Sequence, residues 1–432
     1  MIEEIEIGNY RAFSNLVKVR LRPITVLIGK NSAGKSTLLK FLLMLRQTLE
    51  TTEGDFLVTE GRHVELGALR HQQNTNPEFD DRRLTFQLTI RTPNGPSALM
   101  VNLFDSIRSQ LARKGQVRSF KVPIGPNGAN EKNKETAFKT KVELNYQRPD
   151  VGQHVVNGRQ DGKQQFEIRS KSLRGVRFLS FPTSTTRPEG ELEAMVYNSF
   201  LRAPREVILE TRHLSPVRQE SQRVVALANA PDDDVGHKGE FAIQLLHRLL
   251  ASEDKTSGFL KEHIQAIANI DNLEFEQQSS QLLSRFQGRN LDTMATCHLN
   301  DFGFGVSQCV PVLVQGCLLK RGQLLMVEQP EAQVHPTAQL EIGSFFADLW
   351  RQRGVPSLIE THSANIILRL RQLVSNRILS PADVSIAFFT TEDHHVVVRN
   401  LDIYEDGRLE KGLPREFFGA DVLELASFGI PE

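Results

Sequence analysis

Hydrophobic and polar residues change their spacing along the chain, and each change predicts a different kind of structure. Near the N-terminus, isoleucines alternate with glutamates over residues 2–7, which predicts a strand, and ITVLI at 24–28 predicts a second one. The run STLLKFLLMLRQTL then carries leucines at helical spacing, without proline or interior glycine. The chain therefore begins with strands, a glycine-rich loop and a helix.

The middle and the last third of the chain differ in the spacing of their hydrophobic and turn-forming residues. From about residue 84 to 181, short β-rich runs are separated by glycine, proline and asparagine, which predicts an antiparallel β insertion. Helical spacing returns between about 191 and 288, for example in GEFAIQLLHRLL. The last third alternates strand and helix, in the order LLMV, HPTAQLEIGSFFADLWRQR, PSLIE, ANIILRLRQLV and VSIAFF, and a hairpin is predicted in HHVVVRNLDIYEDGRL. Such alternation predicts a parallel sheet covered by helices.

The expected fold class is therefore α/β, with a mixed or largely parallel sheet, an antiparallel β insertion and a helical lobe. Residues 1–80 would form the N-terminal part of the core, 81–190 the β insertion, 191–295 the helical lobe, and 296–432 the C-terminal part of the core.

Composition excludes several classes of protein. Lys plus Arg and Asp plus Glu both number 52, so the formal net charge of zero argues against a protein held to nucleic acid by charge alone. The N-terminus carries glutamates instead of a basic, apolar signal, and no apolar run approaches the roughly 20 residues of a membrane span. We therefore expect a cytoplasmic protein without a membrane partner.

The stretch GKNSAGKS fits the pattern G-x-x-x-x-G-K-[ST] between a predicted strand and a predicted helix. Backbone N–H groups of such a loop wrap a β-phosphate, Lys35 would bring a charge to the β- and γ-phosphates, and the Ser36 hydroxyl would coordinate Mg²⁺. The predicted nucleotide-binding residues are Gly29, Lys30, Asn31, Ser32, Ala33, Gly34, Lys35, Ser36 and Thr37.

The stretch LLMVEQPE is an apolar strand that ends in acidic and amide side chains. Glu328 is predicted to complete the magnesium shell through water. Gln329 occupies the position of the group that normally polarises the attacking water, and an amide cannot accept a proton.

Two further motifs complete the candidate site. In DFGFGVSQ, Ser307 follows glycines at the start of a predicted helix, where a hydroxyl and backbone N–H groups can meet an anion. In ETHS, His362 follows the strand PSLIE, at the sheet edge where α/β proteins bind ligands.

Taken in this order, the motifs resemble the ATP-binding-cassette superfamily. They are most similar to its soluble branch of RecF-type, chromosome-maintenance (SMC) and overcoming-lysogenization-defect (OLD) ATPases, and within it to AAA ATPases of defence islands with an EQPE-type Walker B motif. The residues that carry the resemblance are GKNSAGKST, GFGVSQ, VEQPEAQVHP and ETHS, with weaker likeness in VELGALR and HLSPVR.

The resemblance implies a P-loop ATPase that forms a head-to-tail homodimer, or a higher oligomer, with ATP and Mg²⁺ between subunits. The loop residues and Glu328 of one subunit would bind nucleotide. Ser307 of the other subunit would cap the γ-phosphate, and His362 would sense it.

Two departures from the family matter. OLD proteins carry a C-terminal nuclease with clustered carboxylates, whereas the acidic residues after His362 are scattered, so any effector is expected on a separate chain. The scattered acidic residues are Asp383, Asp393, Asp402 and Asp406. In related ATPases, a glutamine at position 329 favours a closed, ATP-loaded dimer over fast hydrolysis.

The leading hypothesis is an ATPase whose ATP-driven dimerisation scaffolds or gates a separate nuclease or toxin in phage defence or DNA surveillance. The alternative is an ATP-gated DNA clamp for repair, in which the basic clusters at 108–118 and 169–177 contact phosphates. A third reading, the ATPase subunit of a membrane transporter, is disfavoured by the long β insertion.

The chemistry at Gln329 leaves two alternatives open. Either hydrolysis is slow and ATP acts as a structural ligand, or Glu331 or His335 takes over the role of the base. Each of the two residues could instead stabilise a turn or cap a helix.

Overall fold

The computed structural model describes most of the chain outside the middle segment. The described residues are 1–50, 58–67, 84–92, 95–104, 116–117, 120–123, 141–147, 154–160, 163–170, 203–220, 225–226, 230–277, 283–302, 304–410 and 412. They belong to two compact units. The first unit comprises Met1–Leu21, Asn31–Glu210 and Phe389–Val398; the second comprises Arg22–Lys30, Thr211–Phe388 and Arg399–Glu432.

Strands and helices alternate most regularly in the last third of the chain. The strands are β1 (Ile2–Gly8), β2 (Val17–Arg20), β3 (Ile24–Gly29), β4 (Leu84–Thr92), β5 (Gly95–Phe104), β6 (Gln116–Val117), β7 (Phe120–Pro123), β8 (Lys141–Gln147), β9 (His154–Gln160), β10 (Lys163–Ser170), β11 (Arg212–Leu214), β12 (Val225–Ala226), β13 (Ile270–Gln277), β14 (Leu283–Asn290), β15 (Thr296–His298), β16 (Leu325–Glu328), β17 (Ser357–Glu360), β18 (Val384–Glu392) and β19 (His395–Leu401). The helices are α1 (Lys35–Glu50), α2 (Ala203–Leu209), α3 (Ala242–Ala251), α4 (Lys255–Ala268), α5 (Phe304–Leu318), α6 (Pro336–Arg353) and α7 (Ala364–Ser375).

The first unit contains antiparallel sheets, as the β-rich middle of the sequence predicts. One sheet has the order β2-β1-β4-β5-β6 and another the order β10-β9-β8-β7. β4 pairs antiparallel with both β1 and β5, so the insertion extends the N-terminal strands. Tyr10, Phe41 and Phe86 pack edge to face in the core of this unit, with ring centroids 5.6 and 4.9 Å apart. The predicted strand VRFLSF lies outside the described residues.

The second unit is built around the predicted parallel sheet. The sheet has the order β11-β16-β17-β3-β18-β19, and β11, β16, β17 and β3, which lie wholly in the second unit, run parallel. Every residue of β3, β16 and β17 is buried, which is typical of parallel strands covered on both faces. Their apolar side chains share one core with α5, α6 and α7. The α/β fold class is therefore confirmed.

Two details differ from the sequence patterns. Among the described residues, the range 191–295 contains helices α2, α3 and α4 but also strands β11, β12, β13 and β14. In β13, for example, the stretch LEFE alternates with the period of a strand. In the predicted C-terminal hairpin, Ile403 and Leu409 form only an isolated antiparallel bridge, and β19 pairs with β18 through an earlier turn in which Asp393 and His394 have φ of 46° and 66°.

Candidate functional site

Three predicted motifs begin at one edge of the parallel sheet in the second unit. Glu328 lies opposite Glu360, and Glu360 lies opposite Leu27, so β16, β17 and β3 end side by side. Backbone hydrogen bonds continue past the strand ends: Gln329 N–H donates to the Glu360 carbonyl at 2.7 Å, and Thr361 N–H donates to the Leu27 carbonyl at 3.1 Å. This carboxyl edge is where α/β sheets bind ligands.

The glycine-rich loop connects β3 to α1 as predicted. β3 ends at Gly29 and α1 begins at Lys35, whose side chain is buried at 3% exposure. Gly34 has φ of 100°, and a Cβ atom there would lie 2.6 Å from Phe13 Cε1, so only glycine fits. The boundary between the two units falls after Lys30, inside this loop.

The other loop residues differ in exposure. Ala33 is buried, Ser36 and Thr37 are half-buried, and the remaining ones are exposed: Lys30, Asn31 and Ser32.

Glu328 is buried, and its Oε1 lies 2.8 Å from Nε2 of His213 on β11. The other ring nitrogen of His213, Nδ1, lies 3.0 Å from Nδ1 of His237. In the sequence, His213 stands out only as part of HLSPVR, and no pattern there indicates a role for it.

Arg218, from the same HLSPVR stretch, holds the backbone after β16. Its buried guanidinium donates to the Glu328 carbonyl at 2.6 Å and to the Gln329 carbonyl at 3.3 Å. Burial lowers the pKa of Arg218 to about 10, and the nearby Glu331 and Glu328 carboxylates oppose that effect. The guanidinium therefore stays charged at neutral pH, and hydrogen bonds from a charged donor are among the strong ones.

Gln329 adopts a backbone conformation that is uncommon for a residue with a side chain. Its φ is 45°, in the left-handed region. Its N–H is bonded to Glu360 and its carbonyl to Arg218, so both backbone groups are held. Backbone conformations of this kind persist where the surroundings over-determine them, and they cluster at functional sites.

Glu331 is brought to the ETHS motif. Its Oε1 accepts a hydrogen bond of 2.7 Å from the backbone N–H of His362, whose side chain is exposed. Its Oε2 is buried and has no hydrogen-bond partner among the described residues. Burial raises the pKa of Glu331, while hydrogen bonds from the His362 backbone and the Thr361 hydroxyl oppose the rise.

This pKa shift predicts a pH-dependent effect of Glu331→Gln on stability. Because the folded protein raises the pKa, it favours the protonated carboxyl, so wild type loses stability as pH rises through the unfolded and then the folded pKa. Glutamine does not ionise. The free energy of unfolding of Glu331→Gln, relative to wild type, should therefore increase between pH 4 and pH 8 in urea titrations. Exposed Glu262→Gln is the control and should show no such trend, and a flat difference for Glu331→Gln would contradict the prediction.

The helix that carries Ser307 packs against the turn after β16. A Cβ atom on Gly305 would lie 2.5 Å from the Gln333 carbonyl oxygen, so a glycine is required at this approach. Ser307 itself is 2% exposed within the single chain. Its predicted role toward a partner's nucleotide stays a prediction, and Gly303 lies outside the described residues.

The remaining candidates have structural partners. His335 caps α6, because its Nδ1 accepts the Thr337 N–H at 3.3 Å. Asp383 bonds to Trp350, and Asp402 and Asp406 pair with arginines. Within the described ranges, no group of three or more His, Cys, Asp or Glu side chains could hold a metal ion, and no helix there is long and apolar enough to cross a membrane.

Comparison with solved structures gives distant likenesses. The chain is similar to an SMC head bound to the C-winged helix domain of ScpA, at 9% identity over 94% of this chain and 98% of that one, with a TM-score of 0.42. It is also similar to the SMC head domain from Thermotoga maritima, at 8% identity over 93% and 99%, with a TM-score of 0.40. A third is an SMC head with an extended coiled coil bound to the C-terminal domain of ScpA, derived from Pyrococcus furiosus, at 8% identity over 93% and 96%, with a TM-score of 0.40.

Sequence comparison is more decisive. No curated protein matches the chain significantly. The family model described as "AAA ATPase domain" matches residues 1–173 and 232–367, which is more than half of the chain. With the glycine-rich loop, the acidic end of β16 and the ETHS turn in the order that such an ATPase requires, the chain belongs to the AAA ATPase domain family.

Proposed function

We propose that this ATPase is a slow, ATP-held switch. Two copies close head to tail around ATP and Mg²⁺, and the closed dimer scaffolds or gates a separate nuclease or toxin in anti-phage defence. The observation that carries the proposal is the carboxyl edge of the parallel sheet, where β3 enters the glycine-rich loop beside the end of β17 at Glu360, and β16 ends at Glu328 on the other side of β17. Directly after β16, Gln329 occupies the position where a catalytic carboxylate is expected.

The residues present fit a Mg²⁺–nucleotide complex. The Ser36 hydroxyl and the Glu328 carboxylate are oxygen donors of the kind that Mg²⁺ prefers. His213 contacts Oε1 of Glu328, so Oε2 is the proposed ligand atom. Bound Mg²⁺ would neutralise charge on the phosphates, and Lys35 and the loop backbone from Gly29 to Thr37 would hold them.

The slow rate follows from Gln329. An amide cannot take a proton from water, so this residue can orient the attacking water but cannot act as general base. Glu331 is the alternative base, since it is a half-buried carboxylate that accepts a hydrogen bond from the backbone of His362. In the closed dimer, His362 would sense the γ-phosphate, and Ser307 of the partner would cap it.

The DNA clamp stays an alternative. Most of both basic clusters, 108–118 and 169–177, lies outside the described residues. ATP-dependent binding of duplex DNA that weakens steeply with salt would favour the clamp over the effector switch.

The experiment that tests the proposal is sedimentation velocity with and without nucleotide. We expect the mass to double when ATP and Mg²⁺ are both present, and to return to that of the starting species when EDTA is added. ADP with Mg²⁺ should not support the doubling, because the γ-phosphate contacts would be missing. A mass that does not respond to ATP and Mg²⁺ would contradict the switch.

A further inference from the structure

We infer that His213 is a positioning residue for Glu328, held in place by His237, and that this histidine pair sets how tightly the site binds its divalent cation. The inference rests on the proposed function, in which Glu328 is a Mg²⁺ ligand. It assigns a role to buried His213 and half-buried His237, neither of which belongs to the nucleotide-binding motifs.

The contact between His213 and Glu328 is buried on both sides. The two side chains are 3% and 10% exposed, and Nε2 lies 2.8 Å from Oε1. β11 and β16 are neighbouring parallel strands, with Leu214 opposite Val327, so the backbone register brings the two side chains together. A hydrogen bond to one carboxylate oxygen restricts rotation of the whole group, which orients the second oxygen, Oε2.

The second imidazole determines the hydrogen-bonding state of the first. A carboxylate can only accept, so Nε2 of His213 carries the hydrogen in this bond. In neutral His213 the other nitrogen, Nδ1, is then an acceptor, and Nδ1–H of His237 must donate to it across 3.0 Å. The rings lie 4.8 Å apart at an interplanar angle of 36°, so His237 also limits tilting of the His213 ring.

His237 is itself anchored by the backbone around it. Its carbonyl accepts a hydrogen bond of 3.0 Å from the Ser215 N–H, two residues after His213. The segment just before His237 is held by Gln315 of α5. The buried amide of Gln315 accepts from Val235 N–H at 2.9 Å and donates to the Asp233 carbonyl at 3.1 Å. The backbone at His237 and just before it is therefore held by hydrogen bonds, which fixes the position of His237 beside His213.

A core histidine elsewhere in the same unit shows what a purely structural one looks like. His263 is buried against Phe259 and Phe345, and burial lowers its pKa. Its Nε2 has no hydrogen-bond partner among the described residues, and the Asp348 carboxylate is 3.8 Å away. By contrast, both ring nitrogens of His213 have a hydrogen-bonding partner, and one of the partners is the proposed metal ligand. Partners that orient metal ligands typically change metal affinity 10- to 100-fold when they are removed.

The test measures metal binding and does not depend on turnover. Mn²⁺ affinity is determined by electron paramagnetic resonance for wild type, His213→Ala, His213→Gln, His237→Phe and the control His263→Gln, each saturated with ATP. ATP binding in EDTA is measured in parallel. We expect His213→Ala to bind Mn²⁺ about 10- to 100-fold more weakly, with ATP binding in EDTA unchanged. His213→Gln should recover most of the affinity, because its amide nitrogen can replace Nε2 as donor.

The other variants make the outcome decisive. His237→Phe should weaken Mn²⁺ binding less than His213→Ala does, and His263→Gln should bind as wild type. Equal Mn²⁺ affinity in wild type and His213→Ala would overturn the inference while leaving the proposed function intact. If His213→Ala does not fold, wild-type Mn²⁺ affinity in both His237→Phe and His213→Gln overturns it, and a loss in His237→Phe alone supports it. Absence of ATP-dependent Mn²⁺ binding by wild type would overturn the proposed function and the inference with it.

Discussion

Gln329→Glu is expected to raise the rate of ATP hydrolysis by on the order of 10²-fold, because a positioned carboxylate can accept the proton that the amide cannot. Glutamate and glutamine have nearly the same shape, and the backbone of residue 329 is held at both its N–H and its carbonyl. The substitution should therefore change the chemistry without moving the turn. Turnover is measured as phosphate release under saturating ATP and Mg²⁺.

Gln333→Glu is a matched control for that experiment. Gln333 is also a left-handed glutamine, with φ of 60°, and lies four residues further on with an exposed side chain. The Gln333→Glu variant should leave turnover unchanged. If Gln329→Glu shows no gain over wild type, the slow-switch explanation of the glutamine is wrong. Glu331→Gln then decides the alternative, since abolished turnover in that variant would identify Glu331 as the base.

Lys35→Ala is expected to weaken ATP binding by on the order of 10- to 100-fold, since hydrogen bonds to a charged group each contribute roughly 1.5–3 kcal/mol. The Lys35 side chain is buried at the start of α1, so an alanine cannot be compensated by a flexible neighbour reaching in from solvent. ATP-driven dimerisation should be lost at ATP concentrations that saturate wild type. Binding is measured with a fluorescent ATP analogue, and dimerisation by sedimentation.

Lys40→Ala controls for loss of charge from the same helix. Lys40 is exposed on α1, so its removal should leave ATP affinity within the experimental error of wild type. A Lys35→Ala variant that dimerises with ATP as wild type does would contradict both the nucleotide site and the proposed switch. Its melting temperature should be reported beside wild type, to separate lost binding from lost folding.

Motifs made of neighbouring residues were predictable from the sequence. GKNSAGKST shows its strand, loop and helix within a short span, because glycine placement and leucine spacing are local signals. The order LLMV, PSLIE and VSIAFF with intervening helical runs likewise predicted the parallel sheet, since buried parallel strands read as continuous apolar runs.

Contacts between distant residues were not predictable in this way. His213 and Glu328 are 115 positions apart, and Arg218 and Glu328 are 110 apart. No periodicity or spacing connects such pairs, because they meet only when β11 pairs with β16. The only signal was the stretch HLSPVR, whose likeness to the family was weak.

The sequence by itself determined the P-loop ATPase class and the amide at position 329, because both depend on residue type and local order. The tertiary structure decided what surrounds the acidic end of β16: His213, backed by His237, on the Glu328 carboxylate, a guanidinium on the backbone carbonyls, and a half-buried Glu331 bonded to the His362 backbone. The physical reason is that strand pairing and core burial, which act across the whole chain, bring these groups together, whereas loop and helix signals act between neighbours.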